Sequence, residues 1–154
     1  MQEQAATWWW EYATQKVPEH DELYYLKFSL LMIAYWFAAH LVVHLLAQKY
    51  AEVYRQMDRE KGTLYRTYIM SILHAIVCCV LSYAAMFWVC GEGKTVFNSD
   101  MCMDTVRYVH IWALLHTCSY FIVDFFFVYF VIKGRTPLDY QTYAHHLVAT
   151  MTYY

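Results

Sequence analysis

The sequence has little charge. Asp, Glu, Lys and Arg make up 16% of its 154 residues, whereas a soluble domain usually has about a quarter of its residues charged. Three segments contain none of these four residue types: residues 28–47, 67–91 and 108–123. A helix crosses the hydrocarbon layer of a membrane with about 20 apolar residues. The sequence therefore predicts an all-α, polytopic membrane bundle with three full transmembrane helices.

Other signals are missing as well, and each absence excludes a class. There is no basic stripe of the kind that binds nucleic acid, so no nucleic-acid partner is expected. The first residues, MQEQAATWWWEYATQK, lack the cationic lead and apolar core of a secretory signal and the arginines of a transit peptide. The alternating pattern typical of transmembrane strands is also absent.

Aromatic residues, by contrast, make up 20% of the chain. Near the start they cluster as Trp8, Trp9, Trp10 and Tyr12, within a polar arm predicted over residues 1–22. Indole rings favour the headgroup layer of a membrane, so the cluster is typical of an interfacial anchor. Contact with another protein chain is the alternative interpretation.

The transmembrane domain is predicted over residues 23–154. Thr63 is the predicted N-cap of its second helix, and Pro137 suits the first position of the fourth. The predicted spans are 23–48, 64–89 and 106–132, followed by a fourth helix over 137–154.

Lysine and arginine are distributed unevenly between the two sides of this bundle. Seven lie on the side of the first connector and the KGR turn, and four lie on the other side. Positive charge favours the cytosolic or matrix side, so the N-terminus is predicted to lie outside. The seven are Lys49, Arg55, Arg59, Lys61, Arg66, Lys133 and Arg135.

Ionisable residues interrupt the apolar segments at matched depths. Asp124, His145 and His74 each lie about ten residues from the same membrane surface, which is about 15 Å of helix. His40 is predicted to join this layer. An ionisable group near the middle of a bilayer costs at least about 2.5 kcal/mol, so it is kept when it pairs or has a function.

Two interpretations of the layer stay open. It is either an Asp–His network that locks helix packing or a pocket with acid–base capacity. Both predict that Asp124, His74 and one of His145 and His146 share a hydrogen-bonding cluster or line one cavity. Steps of three and four place Ser71 with His74, Tyr120 with Asp124, and Thr142 with His145 on one face of their helices.

Three motifs resemble those of TLC-domain membrane proteins, the family that includes the ceramide synthases. YRTYIMSILHAIV resembles the family's Ser-x-x-His-Ala/Ser helix, SYFIVDFFFVYF its Ser-x-Tyr-Phe-x-x-Asp helix, and DYQTYAHHLVATMTYY its His-His helix. Order and spacing agree over most of residues 23–154. The resemblance implies an integral membrane protein of the endoplasmic reticulum that handles membrane lipid.

The resemblance also implies roles for individual residues. His145, His146 and Asp124 would carry sphingolipid-type N-acyl transfer from acyl-CoA to an amine, with a histidine taking the amine proton or passing the acyl group. His74 would be a pocket residue. The predicted substrate-binding set is His74, Ser71, Tyr120 and His40, with no metal and no cofactor.

The chain departs from the family where it stops, eight residues after His146. Ceramide synthases continue with paired aspartates and further helices. The chain is therefore expected to be either a piece of a longer protein or a truncated domain covered by other membrane-protein subunits. The second case predicts a non-catalytic accessory subunit, with the mitochondrial inner membrane as the alternative location.

Two metal-based alternatives lack ligands. His40 and His44 have the spacing of a membrane di-iron enzyme, but Thr142 stands where an HxxHH box needs histidine. Haem held between His40 and His116 would need both at one depth, and His116 is expected near the outer surface.

The cysteines fall into two groups. Cys90 and Cys102 flank a short linker on the predicted outer side, where an oxidising compartment would let them pair. Free thiols are the alternative for this pair. Cys78, Cys79 and Cys118 lie within predicted spans and are expected to be inert.

Overall fold

The fold is an antiparallel bundle of long helices. The computed structural model describes residues 11–15, 22–90, 93–103, 105–133 and 137–153. Three helices in this part of the chain are long and apolar enough to cross a membrane. The prediction of an all-α, polytopic integral membrane protein is confirmed.

The helices follow the predicted order. Short helices lie in the two connectors. Helix α6 begins at Pro137, as predicted. Proline lacks a backbone N–H, and at the first position of a helix that N–H would have no acceptor within the helix. The elements are α1 (Glu22–Tyr50), α2 (Glu52–Arg55), α3 (Arg59–Phe87), α4 (Asp100–Met103), α5 (Tyr108–Phe126) and α6 (Pro137–Tyr153).

The central element is α5. It packs on α1, α3 and α6, and 39% of its apolar window is buried, against 17% for α1 and for α3. It continues as π-helical turns over Phe127–Ile132, and Lys133 then takes a left-handed conformation with φ 55°. Such a residue is a common stop after a helix, which explains why the third span ends here.

The predicted N-cap of the second span is wrong. The cap is Asp58, whose carboxylate accepts a hydrogen bond from the Lys61 backbone N–H at 2.8 Å, so α3 begins at Arg59. This hydrogen bond lowers the pKa of Asp58 and favours its charged form. Thr63 lies inside the helix, fully buried, and its hydroxyl donates to the Arg59 carbonyl at 2.8 Å.

The N-terminal arm contacts the bundle where it is described. The Tyr12 ring stacks on Tyr108 with centroids 4.6 Å apart, and Ala13 is buried in a core cluster with Val89 and Val109. Tyr12 therefore packs within its own chain, which neither interpretation of the aromatic cluster predicted. Trp8, Trp9 and Trp10 lie outside the described residues.

Candidate functional site

A cavity of about 620 Å³ lies between α3, α5 and α6. It extends from Leu64 and Gln141, in the first two turns of α3 and α6, to His74 near the middle of α3. One end of the cavity thus lies on the side of the first connector. The lining residues are Leu64, Thr67, Tyr68, Ser71, His74, Ala75, Tyr120, Phe121, Asp124, Val128, Gln141, Thr142, His145 and His146.

The cavity is a cleft because α6 has one main neighbour. Among the described residues α6 packs chiefly on α5, so a gap remains between α6 and α3. Tyr68, which lies on this rim, is 63% exposed. Helix α3 is long and apolar enough to cross a membrane, and a gap beside it would there face lipid.

Asp124 and His146 form the most buried polar pair of the cavity. Asp124 Oδ2 lies 3.5 Å from His146 Nδ1, and the two side chains are only 8% and 9% exposed. Asp124 Oδ1 has no hydrogen-bond partner within the described part of the chain. The Nδ1–Oδ2 separation is an ion-pair distance and does not meet the geometry of a hydrogen bond, so it does not by itself assign the tautomer of His146.

The face predicted for the fourth helix does line the cavity, through Thr142 and His145. The residue beside Asp124, however, is His146. One residue is about 100° around a helix, and the face of α6 that meets α5 carries His146. His145 is more exposed and borders the cavity, with its ring centroid 5.8 Å from that of Phe121.

Tyr120 joins the polar groups of α5 to those of α3. Its hydroxyl donates to Ser71 Oγ at 3.1 Å, and its ring stacks on His74 with centroids 4.0 Å apart. Asp124 follows one turn later on α5 and interacts with the same hydroxyl. The sequence thus predicted correctly that Asp124, His74 and a histidine of the His-His pair line one cavity, together with Ser71 and Tyr120.

His40, which was predicted to bind substrate, does not line this cavity. It is 2% exposed and stacks on Phe127, with centroids 4.0 Å apart. The reason is packing. Helix α1 lies chiefly against α5 and α3, whereas the cavity opens between α3 and α6.

His116 is deeper than predicted. Its ring lies 5.5 Å from that of His74 and 4.8 Å from that of Trp36. Trp36, which the sequence analysis did not single out, also donates its Nε1 proton to the His116 carbonyl at 3.3 Å. The sequence could not predict this contact. In a continuous apolar segment, the residues that pack in the core and those that face lipid have the same composition.

Residues that could hold a metal come together at one place in the described chain, where His74, Cys78 and His116 meet. Cys78 Sγ is 3.5 Å from both ring nitrogens of His74. The same sulfur is 3.2 Å from the Thr117 hydroxyl, so Cys78 contacts both α3 and α5 side chains at this place.

The di-iron and haem alternatives gain no support from the geometry. His44 Nδ1 is 2.7 Å from the Tyr54 hydroxyl, and His40 packs on Phe127. Neither residue lines the cavity that contains His145 and His146.

Cys90 and Cys102 form a disulfide, with Cα atoms 5.9 Å apart. The separation is within the limit of about 7 Å that the bond requires. The bond joins the end of the second span to α4 and so ties down the linker before α5. The thiols of Cys78, Cys79 and Cys118 are free.

Removing this disulfide is expected to destabilise the protein. For Cys90→Ser, closure of a loop with a sequence separation of 12 would be lost, which is worth about 3 kcal/mol on the chain-entropy model. Thermal unfolding in detergent, with and without reductant, measures the effect. Cys79→Ser, an exposed free thiol on α3, is the control. A melting temperature of the native protein that is insensitive to reductant would contradict the prediction.

Comparison with known proteins found no matching family model, no matching curated protein and no matching solved structure.

Proposed function

We propose that this chain is a lipid-handling membrane protein with a TLC-like core, and that the cleft between α3 and α6 is its lipid site. The observation that carries the proposal is the meeting of all three motifs at one cavity. His74 comes from the first, Asp124 from the second and His146 from the third. Around these polar groups the cavity has apolar and aromatic walls, as expected for a site that takes a polar head with an apolar chain.

The reaction that fits this site is N-acyl transfer from an acyl thioester such as acyl-CoA to a long-chain amine. The amine nitrogen attacks the carbonyl carbon, a C–N bond forms, and the C–S bond breaks. His146 takes the amine proton and returns it to the leaving thiolate. Asp124, whose Oδ2 lies 3.5 Å from Nδ1, would accept a hydrogen bond from Nδ1–H in this reaction and so favour the tautomer that accepts at Nε2.

The other residues have supporting roles in this proposal. His145 borders the cavity beside Asp124 and His146, where it would contact the acyl donor. His74, Ser71 and Tyr120 form the opposite wall, where the Tyr120–Ser71 hydrogen bond fixes two hydroxyl groups near the reacting centre. By the family resemblance the membrane is that of the endoplasmic reticulum.

A non-catalytic accessory subunit is the second candidate, and one observation favours it. The polar contacts of the cavity also connect the helices. Tyr120 bonds to Ser71 between α5 and α3, and Asp124 faces His146 between α5 and α6. The same network can lock helix packing with no chemistry at all, as part of a larger complex such as one in the mitochondrial inner membrane.

An acyl-transfer assay on the purified protein in liposomes separates the two candidates. A labelled long-chain acyl-CoA and a sphingoid amine are supplied, and the amide product is measured. His146→Ala is expected to lower turnover by about a hundredfold or more, since general acid–base catalysis contributes that much. His44→Ala, a histidine that does not line the cavity, is the control.

The candidates differ in what the wild-type protein does. Turnover that depends on His146 supports the enzyme. Lipid bound at the cleft by a protein that forms no amide with any supplied donor would support the accessory subunit. Absence of both lipid binding and turnover would contradict the proposed lipid site.

A further inference from the structure

A second, smaller cavity lies at the membrane boundary between α1 and α3. Its volume is about 220 Å³, and it is separate from the cleft between α3 and α6. The last turns of α1 contribute His44 and Gln48, the connector contributes Tyr54, and the first turns of α3 contribute Arg59 and Arg66. Because Gln48 and Arg59 lie at helix ends, this cavity is at the level of lipid headgroups.

The charge of this boundary cavity is positive. Two guanidinium groups line it, against one carboxylate, that of Asp58. That carboxylate is already engaged, because it caps α3 through the Lys61 backbone N–H and pairs with Lys61 Nζ at 3.3 Å. The cavity therefore has unneutralised positive charge available for an anion.

Arg66 is the residue that most needs such an anion. Its Nη2 donates to Thr63 Oγ1 at 2.9 Å. Its Nε is buried and has no acceptor among the residues that the structure describes. No carboxylate in that part of the chain forms an ion pair with it. A buried donor without a partner is costly, and more so when the group is charged, so an acceptor from outside the chain would stabilise this arrangement.

The opposite wall is rigid and polar. Tyr54 is buried, and its hydroxyl is 2.7 Å from His44 Nδ1. Either group can be the donor in this hydrogen bond, because the role of the ring nitrogen depends on the tautomer. The two arginines supply the charged donors of the cavity, and its one carboxylate is already engaged.

We propose that this boundary cavity binds the phosphate group of an anionic phospholipid. The planar guanidinium fork matches phosphate oxygens in pairs, and basic pockets between transmembrane helices favour anionic headgroups. The volume suits a headgroup and leaves the acyl chains in the bilayer. Leu41 and Leu45, which follow the same stripe of α1 as Gln48, are exposed and continue the path for an acyl chain.

The test is titration of the purified protein in detergent with a phosphatidylglycerol, followed by native mass spectrometry, with phosphatidylcholine as the zwitterionic lipid. Phosphatidylglycerol is expected to bind the wild type in preference to phosphatidylcholine. Arg66→Gln is expected to weaken its binding about tenfold or more, because hydrogen bonds to charged groups are lost. Arg66→Lys, which keeps the charge without the fork, is expected to bind with intermediate affinity.

Arg55→Gln is the matched control. Arg55 lies on the connector that contributes Tyr54, but its Nη1 donates to the Gln48 and Lys49 carbonyls and it does not line the cavity. Equal loss of binding in Arg55→Gln and Arg66→Gln would overturn the site, since it would show general surface attraction. Unchanged binding by folded Arg66→Gln protein, checked by its melting temperature, would overturn it as well.

A further arm separates the lipid from a soluble ligand. Inorganic phosphate and glycerol 3-phosphate are titrated into the same protein without added lipid. Weak binding of both, with tight binding of phosphatidylglycerol, supports a lipid site. Affinity for the soluble compounds equal to that for the lipid would overturn the assignment to a phospholipid. Because the boundary cavity shares no lining residue with the cleft, this outcome does not depend on acyl transfer.

Discussion

Asp124→Ala is expected to abolish acyl transfer, with a fall of at least about a hundredfold. The carboxylate lies 3.5 Å from His146 Nδ1. In the proposed reaction, its loss would remove the group that stabilises the protonated form of the imidazole. The measurement is amide formation from labelled acyl-CoA by protein in liposomes. Asp124→Asn, which keeps the shape, shows whether the charge is what matters.

Asp100→Ala is the control for this variant. Asp100 is exposed and begins the short helix α4 outside the spans. The Asp100→Ala substitution is expected to leave both turnover and melting temperature unchanged. If folded Asp124→Ala protein retained full turnover, Asp124 would have no part in the chemistry. A lower melting temperature in a protein that never turns over would instead favour the accessory subunit.

Filling the cleft is expected to remove lipid binding without touching a titratable group. Ala75 lines the cavity beside His74. The substitution Ala75→Trp would place an indole in the space that the acyl chain occupies in the proposed lipid site. The affinity for a photoreactive long-chain lipid is expected to fall at least tenfold, because the lipid can no longer bury its apolar surface in the cleft. Cross-linking yield against lipid concentration measures this.

Ala38→Trp is the matched substitution outside the cleft. Ala38 is exposed on α1 and does not line the cavity, so a larger side chain there contacts bilayer lipid. Cross-linking at the cleft is expected to match that of the wild type. Equal yields from Ala75→Trp and the native protein would mean that the lipid does not occupy the cleft.

The spans were predictable because crossing a membrane depends on the summed apolarity of about 20 neighbouring residues, which is a local property. The start of α3 was not, since Gly62 and Thr63 look like a helix boundary. Within the structure, the Tyr54 ring lies 3.6 Å from the position that a Cβ on Gly62 would take. This is an ordinary van der Waals distance, so packing does not require glycine here. Gly62 lies inside a continuing helix, and only the tertiary structure shows this.

The depth of the polar residues was also predictable, because helix rise converts residue number into distance. The rotation of each helix was harder to predict. It depends on which face packs on the neighbour, and this placed His146 on Asp124 in place of His145. The depth of His116 was misjudged, since its ring lies 5.5 Å from that of His74 near the middle of α3.

The single main interface of α6 has a consequence for selectivity. The width of the cleft depends on the angle at which α6 packs on α5. One contact between α6 and the turns that follow α5 is the hydrogen bond that the Tyr143 hydroxyl donates to the Val128 carbonyl, at 3.4 Å. Val128 belongs to the π-helical turns, four residues beyond Asp124. Substitutions in this contact would change the size of the acyl chain that the proposed lipid site accepts, while His146 and Asp124 stay in place. The preference for chain size could then change in evolution without a change in the proposed chemistry.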